Sequence, residues 1–466
     1  MRFSFSDIDA RLNRAPEFSL TAAVLVVAAG ALVPAWINYD IIARDGAFQY
    51  VPTAMLFYKG SFMEALSRPQ LPLFPSLIAL MARMTGLGFE LSGRLVAAIA
   101  FVVASAGMFK LTLGITKMRW AAVISVLFFL SNRVLLKTSV DCLQESLQLC
   151  FVIWGNHFML LFLERRRSAG MPYLALSGVL FLLGAAVRTT TLIFPFAWIV
   201  LWIFHKREGL WIRLGGIAVP VAAGALFVII NHDLPLFHMK KGFQIYTYLG
   251  MAPDLTGKLM NFPGMLHMML ARGNPLALLF AVFGMIAGAK GAYRAHAAIV
   301  TVLFLAMFFL MGWTSQRYVL APIIWLYPMA AWMFAAAMNS EKKMVKGLAI
   351  IGIISCPVLW AGKVFSPPDP GKVAQRNAGE WILLSQGPGK EVLTNRDRLT
   401  FYASTGYTPL DTPADLKVDK AIIALDVSKK GAQRIKVAID KSGLIPDRIF
   451  RNIYIYLPRR VSGARE

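Results

Sequence analysis

Cysteine, negative charge and phosphate-loop glycines are what this 466-residue chain has least of. Its three cysteines, Cys142, Cys150 and Cys356, are scattered through apolar stretches, which argues against a disulfide framework or a thiolate metal cage. Charged residues make up only 16%, against roughly 25% in soluble proteins. Asp and Glu together number 25 against 48 Lys and Arg, a net charge of +23. In a soluble chain that balance would suggest nucleic acid. Here much of the positive charge lies in short clusters between apolar runs, the pattern of topology signals and of contacts with anionic lipid. No internal repeat, low-complexity tract or Gly-rich phosphate loop is found.

What is abundant is apolar sequence, 57% of the residues. Windows of about 20 apolar residues, long enough to cross a bilayer, occur near 20–37, 93–113, 120–136, 142–163, 173–188, 189–204, 212–231, 275–290, 296–313, 318–338 and 346–362. Eleven spans are therefore expected. The first follows Arg2, Arg11 and Arg14 as a signal peptide would, but with so many similar runs after it, it fits an uncleaved span. Clusters such as Arg165/Arg166/Arg167 and Lys342/Lys343/Lys346 fall in every second connection, which puts the N-terminus in the cytoplasm and the tail after Lys363 outside. The long connections 38–92 and 232–274 share the outer face with the tail. Within the first, Leu71 to Met84 is apolar, too short to span comfortably and closed by Arg83, which predicts a juxtamembrane helix.

After Ser366-Pro-Pro-Asp-Pro the composition becomes that of a soluble domain. Helices near 372–385, 397–404 and 431–442 alternate with strands at 391–395, 421–426 and 449–457, as in a small α/β domain. The expected architecture is an all-α polytopic membrane domain, residues 1–362, with a large first external loop. A small α/β extracytoplasmic domain, 363–466, completes the chain.

Several outer-face constellations could carry chemistry. Arg44-Asp45-Gly46 with Tyr50 follows the first span, and Arg68 opens RPQLPLFP. A carboxylate there could take the proton of an attacking hydroxyl, or sit idle in a solvated loop, and Asp40 is its rival. In SVDCLQES, Asp141 and Glu145 are i and i+4 and would share one helix face. The alternative is an anion favoured by the helix dipole, which suits Asp141 better than Glu145. Arg188, before three threonines, and Arg317-Tyr318 with Pro322 could each hold a phosphate or snorkel to lipid headgroups. Lys240 and Lys241, near His238, Tyr246 and Tyr248, suit interface anchoring better than binding. A membrane-bound, phosphate-bearing donor would suit this set, because arginines stabilise a departing phosphate.

Four local patterns resemble the C-superfamily of integral membrane glycosyltransferases, which includes protein O-mannosyltransferases and lipid A aminoarabinose transferases. RDGAFQY resembles their acidic first-loop motif, and RPQLPLFPSLIAL the stretch that opens their juxtamembrane helix. DCLQESLQLCF resembles the start of their fourth span, with Glu145 at the acidic position. SQRYVLAPIIWLYP resembles the Arg-Tyr-x-x-Pro element before a late span, and the tail resembles their extracytoplasmic domain. The resemblance implies a bacterial inner-membrane enzyme, a hexosyl- or pentosyltransferase working on the periplasmic face. It would move a sugar, with inversion, from a polyprenyl-phosphate donor to a lipid-linked glycan such as lipopolysaccharide, a lipid or a protein. By the same resemblance Asp45 is the base, and Glu145 and Arg188 shape the donor site. Asp141, Arg44, Tyr50, Arg68, Lys240, Lys241, Arg317 and Tyr318 complete the candidate site. No cofactor is expected: a divalent cation is disfavoured, because Gly46 stands where many relatives carry a second acid and the usual histidine near Pro69 is absent. No nucleic acid is expected as partner. A glycan polymerase or ligase would place its chemistry in later loops, and a transporter or flippase would show symmetric halves with charges near the midplane. A non-catalytic scaffold of the same fold is a further alternative.

Overall fold

The computed structural model describes residues 12, 14–38, 41–68, 70–165, 168–204, 255–287, 291–311, 315–365, 368–405, 407–410, 412–416, 421–429 and 431–458. They form two compact units: Met1–Ile37 with Thr53–Ser366, and Asn38–Pro52 with Pro367–Glu466.

The first unit is helical, and the chain is a multi-pass membrane protein. Among the described residues six helices are long and apolar enough to cross a bilayer: Glu17–Asn38, Phe89–Thr116, Glu145–Arg165, Ala292–Met311, Leu320–Met338 and Lys343–Gly362. Two sharply bent pairs raise the number to eight if each is one span. Of the other expected windows, 173–188 and 189–204 form the shorter helices Met171–Val187 and Ile193–Phe204, and 212–231 lies outside the described residues.

In lipid, helices gain little from burying one apolar side chain against another, so close packing decides which of them meet. Gly284 shows how: a Cβ there would come within 2.5 Å of the Met329 carbonyl oxygen, so Pro275–Ala287 lies directly against Leu320–Met338. Leu320–Met338 is 83% buried over its apolar window and Lys343–Gly362 only 17%, which makes the first a central helix and the second a peripheral one.

The window 120–136 is not one straight span. Arg119–Ser131 and Arg133–Val140 meet at 65°, with Asn132 between them. A break frees backbone N–H groups that lipid cannot satisfy, and Asn132 supplies the partner. Its Oδ1 accepts from the N–H groups of Val134 and Leu135 at 3.1 and 3.0 Å, while its Nδ2 donates to the Tyr327 hydroxyl at 2.9 Å. The same device recurs at Asn274, whose Oδ1 accepts from Leu276 and Ala277 at 3.1 and 3.3 Å. There a helix ending at Arg272 turns by 107° into Pro275–Ala287, so the connection expected to run as a loop to 274 contains the helix Leu255–Arg272. The predicted juxtamembrane segment is the helix Leu73–Thr85, stopped by Gly86 at φ +71°.

The second unit contains a five-stranded sheet of order β2-β1-β3-β5-β4, with β1 Val392–Thr394, β2 Tyr407–Pro409, β3 Ile422–Asp426, β4 Arg448–Phe450 and β5 Ile453–Tyr456. β1 pairs in parallel with β2 and β3; β5 runs antiparallel to β3 and β4. Two details differ from the expected tail. β2 is too short to register as an apolar run, and the strand expected over 449–457 is a hairpin, turned at Arg451 with φ +56°. Strand residues alternate between two cores. Val392, Ile422 and Ala424 pack with the helices Pro370–Gln386 and Asp397–Tyr402, while Leu393, Ile423 and Leu425 pack with Ala432–Lys441.

Replacing Asn132 by Ala removes a helix cap and the bond to Tyr327. The expected loss is about 1–3 kcal/mol, read as a lower melting temperature in detergent and partly restored by Asn132→Ser.

Candidate functional site

In the first unit three chain segments far apart in sequence meet at the end of a helix. Glu145 is the first residue of Glu145–Arg165, at the positive end of that helix's dipole. Arg188 stands alone and extended between Met171–Val187 and the 3-10 turn Thr189–Leu192. That turn folds back closely: a Cβ on Gly184 would meet Thr191 Cγ2 at 2.8 Å. Arg317 and Tyr318 lie in the turn leading into Leu320–Met338.

The side chains converge on one carboxylate oxygen. Arg188 Nη1 is 2.9 Å from Glu145 Oε1, and Arg317 Nη1 is 3.4 Å from the same atom. The Arg188 guanidinium also lies over the Tyr318 ring, 4.2 Å from its centroid, a cation–π contact. Gln148, one turn along from Glu145, donates to the Thr190 and Thr191 hydroxyls at 2.9 and 3.2 Å. The Glu145 side chain is 2% exposed and that of Arg317 33%, so the carboxylate is sealed while one cation remains accessible. Glu145 Oε2 is buried without a hydrogen-bond partner among the described residues. Glu145, Gln148, Arg188, Thr190, Arg317 and Tyr318 line a small pocket of about 10 Å³, room for about one water molecule. Two guanidiniums share this one carboxylate, and a guanidinium fork is chemistry suited to an anion.

The shared face expected for Asp141 and Glu145 is not formed. Asp141 ends the preceding helix Arg133–Val140 in an extended conformation, ψ 154°, and a turn separates it from Glu145. The dipole explanation therefore fits Glu145 and not Asp141, although a dipole alone does not bring two arginines to it. Asp141 is buried near Arg94, a residue the sequence patterns did not single out. Arg94 Nε donates to the Val140 carbonyl at 2.8 Å, and its guanidinium sits 4.9 Å from the Trp36 ring centroid. An arginine at the start of an apolar window was the available signal. Arg68 makes an exposed contact with Glu64 at 3.5 Å and joins no cluster among the described residues. Lys240 and Lys241 lie outside the described residues, as do Asp40 and Pro69.

Arg44, Asp45 and Tyr50 belong to the second unit. Asp45 is partly exposed and immediately precedes a π-helical turn, Gly46–Tyr50; such turns are frequent at functional sites. Pro52, which follows, has no N–H to donate to the Phe48 carbonyl, consistent with the wide turn. Upstream, Ile42 is held at both backbone groups. Its N–H donates to the Tyr402 hydroxyl at 3.0 Å, and its carbonyl accepts from Arg398 Nε at 2.9 Å. Arg398 and Tyr402 are i and i+4 on Asp397–Tyr402, which packs so closely on Pro370–Gln386 that a Cβ on Gly379 would meet the Leu399 carbonyl oxygen at 2.5 Å. No sequence signal linked these residues to Ile42, some 360 positions away. Among the described residues no three His, Cys, Asp or Glu side chains gather as metal ligands, and one carboxylate followed by glycine does not make a cage.

Residues 67–232 match the family model described as dolichyl-phosphate-mannose-protein mannosyltransferase. The structure is similar to the crystal structure of ArnT from Cupriavidus metallidurans bound to undecaprenyl phosphate, with a TM-score of 0.67 and 12% identity, covering 94% of this chain and 98% of that one. The chain has the fold of the C-superfamily membrane glycosyltransferases. Within that superfamily fold it is also similar to the Archaeoglobus fulgidus oligosaccharyltransferase in complex with Zn and sulfate, with a TM-score of 0.57 and 11% identity, covering 87% of this chain and 68% of that one. No curated protein matches in sequence. The family model spans two of the four local patterns, those beginning at Arg68 and Asp141, and the fold agrees with the resemblance.

Glu145→Ala would remove the carboxylate that Arg188 and Arg317 share. A loss of about 3–5 kcal/mol is expected, measured by thermal unfolding. Removing Glu145 and Arg188 together should cost less than the sum of the single changes, the coupling a double-mutant cycle detects.

Proposed function

We propose that this protein is an inverting glycosyltransferase that moves a sugar from a polyprenyl-phosphate donor to a membrane glycan, lipid or protein acceptor on the periplasmic face of a bacterial inner membrane. The observation that carries the proposal is the buried Glu145 carboxylate joined to Arg188 and Arg317, a cationic cluster in a fold shared with a protein crystallised with undecaprenyl phosphate. The basic clusters in alternate connections support a cytoplasmic N-terminus and a periplasmic second unit.

In this reading the acceptor oxygen attacks the anomeric carbon from the face opposite the phosphate and gives its proton to the Asp45 carboxylate. The bond from that carbon to the phosphate oxygen breaks, and its electron pair leaves on the phosphate. Arg188 and Arg317 take up the growing negative charge, an interaction stronger in the transition state than in the bound donor. Glu145 is a positioning residue: buried between the two guanidiniums, it holds them in place, and its unpartnered Oε2 can accept from a ligand hydroxyl. Leaving that oxygen unsatisfied costs about 1–3 kcal/mol, which a sugar hydroxyl would relieve. Arg398 and Tyr402 hold the backbone of Ile42 and so position Asp45, three residues on.

Asp45→Asn is expected to slow transfer by about 10²–10⁴-fold. Expressed at the native level in cells lacking the wild-type gene, it should leave the envelope glycan with the same missing mass as the deletion strain. A wild-type glycan mass would remove Asp45 as the base. Arg317→Ala should lower kcat by about 10²–10³-fold, with Arg317→Lys restoring only part, because a point charge does not replace a planar fork. Arg398→Ala and Tyr402→Phe should lower kcat with little change in donor KM, and should speed hydrogen exchange in 41–50 while the sheet stays protected.

A further inference from the structure

A second polar cavity lies wholly within the second unit and shares with the reading above only Arg398, whose Nε holds Ile42. Lys372, Arg396, Arg398, Arg451, Asp369 and Asp426 line it, and its volume is about 330 Å³, at the lower end of the roughly 300–1,000 Å³ range of small-molecule sites.

Its place in the sheet is informative. β1 and β3 are adjacent and parallel, and the chain leaves their carboxyl ends toward opposite faces. After β1 it enters Asp397–Tyr402, packed on one face; after β3 it enters Ala432–Lys441, packed on the other. This divergence opens a crevice at a topological switch point, where open α/β sheets bind their ligands. Arg396 comes from the loop after β1 and Asp426 from the end of β3. Lys372 comes from the first turn of Pro370–Gln386, and Arg451 from the β4–β5 turn.

The charges do not cancel. Both carboxylates are committed internally. Asp369 caps its helix by accepting from the Gly371 N–H at 2.9 Å. Asp426 accepts from the Ser428 N–H and hydroxyl at 2.9 and 2.6 Å and from Arg396 Nε at 2.7 Å. Against these two acids stand four cations, and Arg451 makes no ion pair among the described residues. The rest of the lining is Gln375, Asn452 and Ser428 with Gly371, Ala374 and Ile453, and no aromatic side chain lines it on which a nucleobase could stack. Cations take an anionic group, and amides and carboxylates exchange hydrogen bonds with hydroxyls. We infer that this crevice binds an anionic saccharide, a sugar unit carrying phosphate or carboxylate, at a site separate from the Glu145 cluster.

The test uses the full chain in detergent, titrated with glucose 1-phosphate, glucose and inorganic phosphate and followed by saturation-transfer NMR. Glucose 1-phosphate should bind at least about tenfold more tightly than either fragment, the gain from one good additional contact. Binding should fall by a similar factor in Lys372→Glu/Arg451→Glu and survive Arg317→Ala. Equal affinity in the double variant, or loss of binding in Arg317→Ala, would overturn the assignment. Inorganic phosphate binding as tightly as the sugar phosphate would reduce the crevice to a bare anion site and overturn the saccharide class. Should the double variant melt early, Arg451→Gln in its exposed turn is the substitute: severalfold weaker binding supports the inference, and unchanged binding overturns it.

Discussion

The arrangement of the membrane unit depends on one buried carboxylate. Glu145 Oε1 lies 2.9 Å from Arg188 and 3.4 Å from Arg317, and no two of these three residues are closer than 43 positions in sequence. A charge sealed this deeply is tolerated only when it is paired. The pairing requires a helix to begin at Glu145, a helix to break at Arg188 and a turn to precede Leu320–Met338, all at one place. Each is a departure from a continuous apolar span, and together they line a small polar pocket.

Other breaks in the membrane unit obey the same constraint by different means. Where Arg119–Ser131 gives way to Arg133–Val140, and where Leu255–Arg272 turns into Pro275–Ala287, an asparagine takes up the freed N–H groups. Polar atoms inside this unit are therefore of two kinds. Asn132 and Asn274 give their amide oxygens to local backbone and their amide nitrogens to Tyr327 and Ser355, whereas the Glu145 cluster holds two guanidiniums and a carboxylate oxygen with no hydrogen-bond partner among the described residues. The second kind is suited to a ligand.

The second unit joins two stretches of chain more than 300 residues apart. Asn38–Pro52 clusters with the C-terminal sheet domain, and Ile42 is bonded through both backbone groups to one short helix. A small α/β domain on a membrane protein thus has two separate features: a helix face that holds the Asp45 segment and a cationic crevice at the sheet's switch point. Arg398 belongs to both, since its Nε holds Ile42 while its side chain lines the crevice.

The sequence by itself determined the membrane class, most of the long helices and the helix at Leu73–Thr85, because a lipid environment imposes length and apolarity residue by residue. It also carried the resemblance to the C-superfamily through four short patterns, and it picked out Glu145, Arg188, Arg317 and Tyr318 one at a time. Only the tertiary structure decided that these four meet while Asp141 and Arg68 stand apart. Spacing along a helix is a local property, and a turn at 141–144 cancels the i, i+4 relation that an unbroken helix would have given. The bends at Asn132 and Asn274, the hairpin at Arg451 and the hold on Ile42 were likewise beyond the sequence. Each rests on a hydrogen bond or a backbone angle that hydropathy does not record, or on a partner hundreds of residues away.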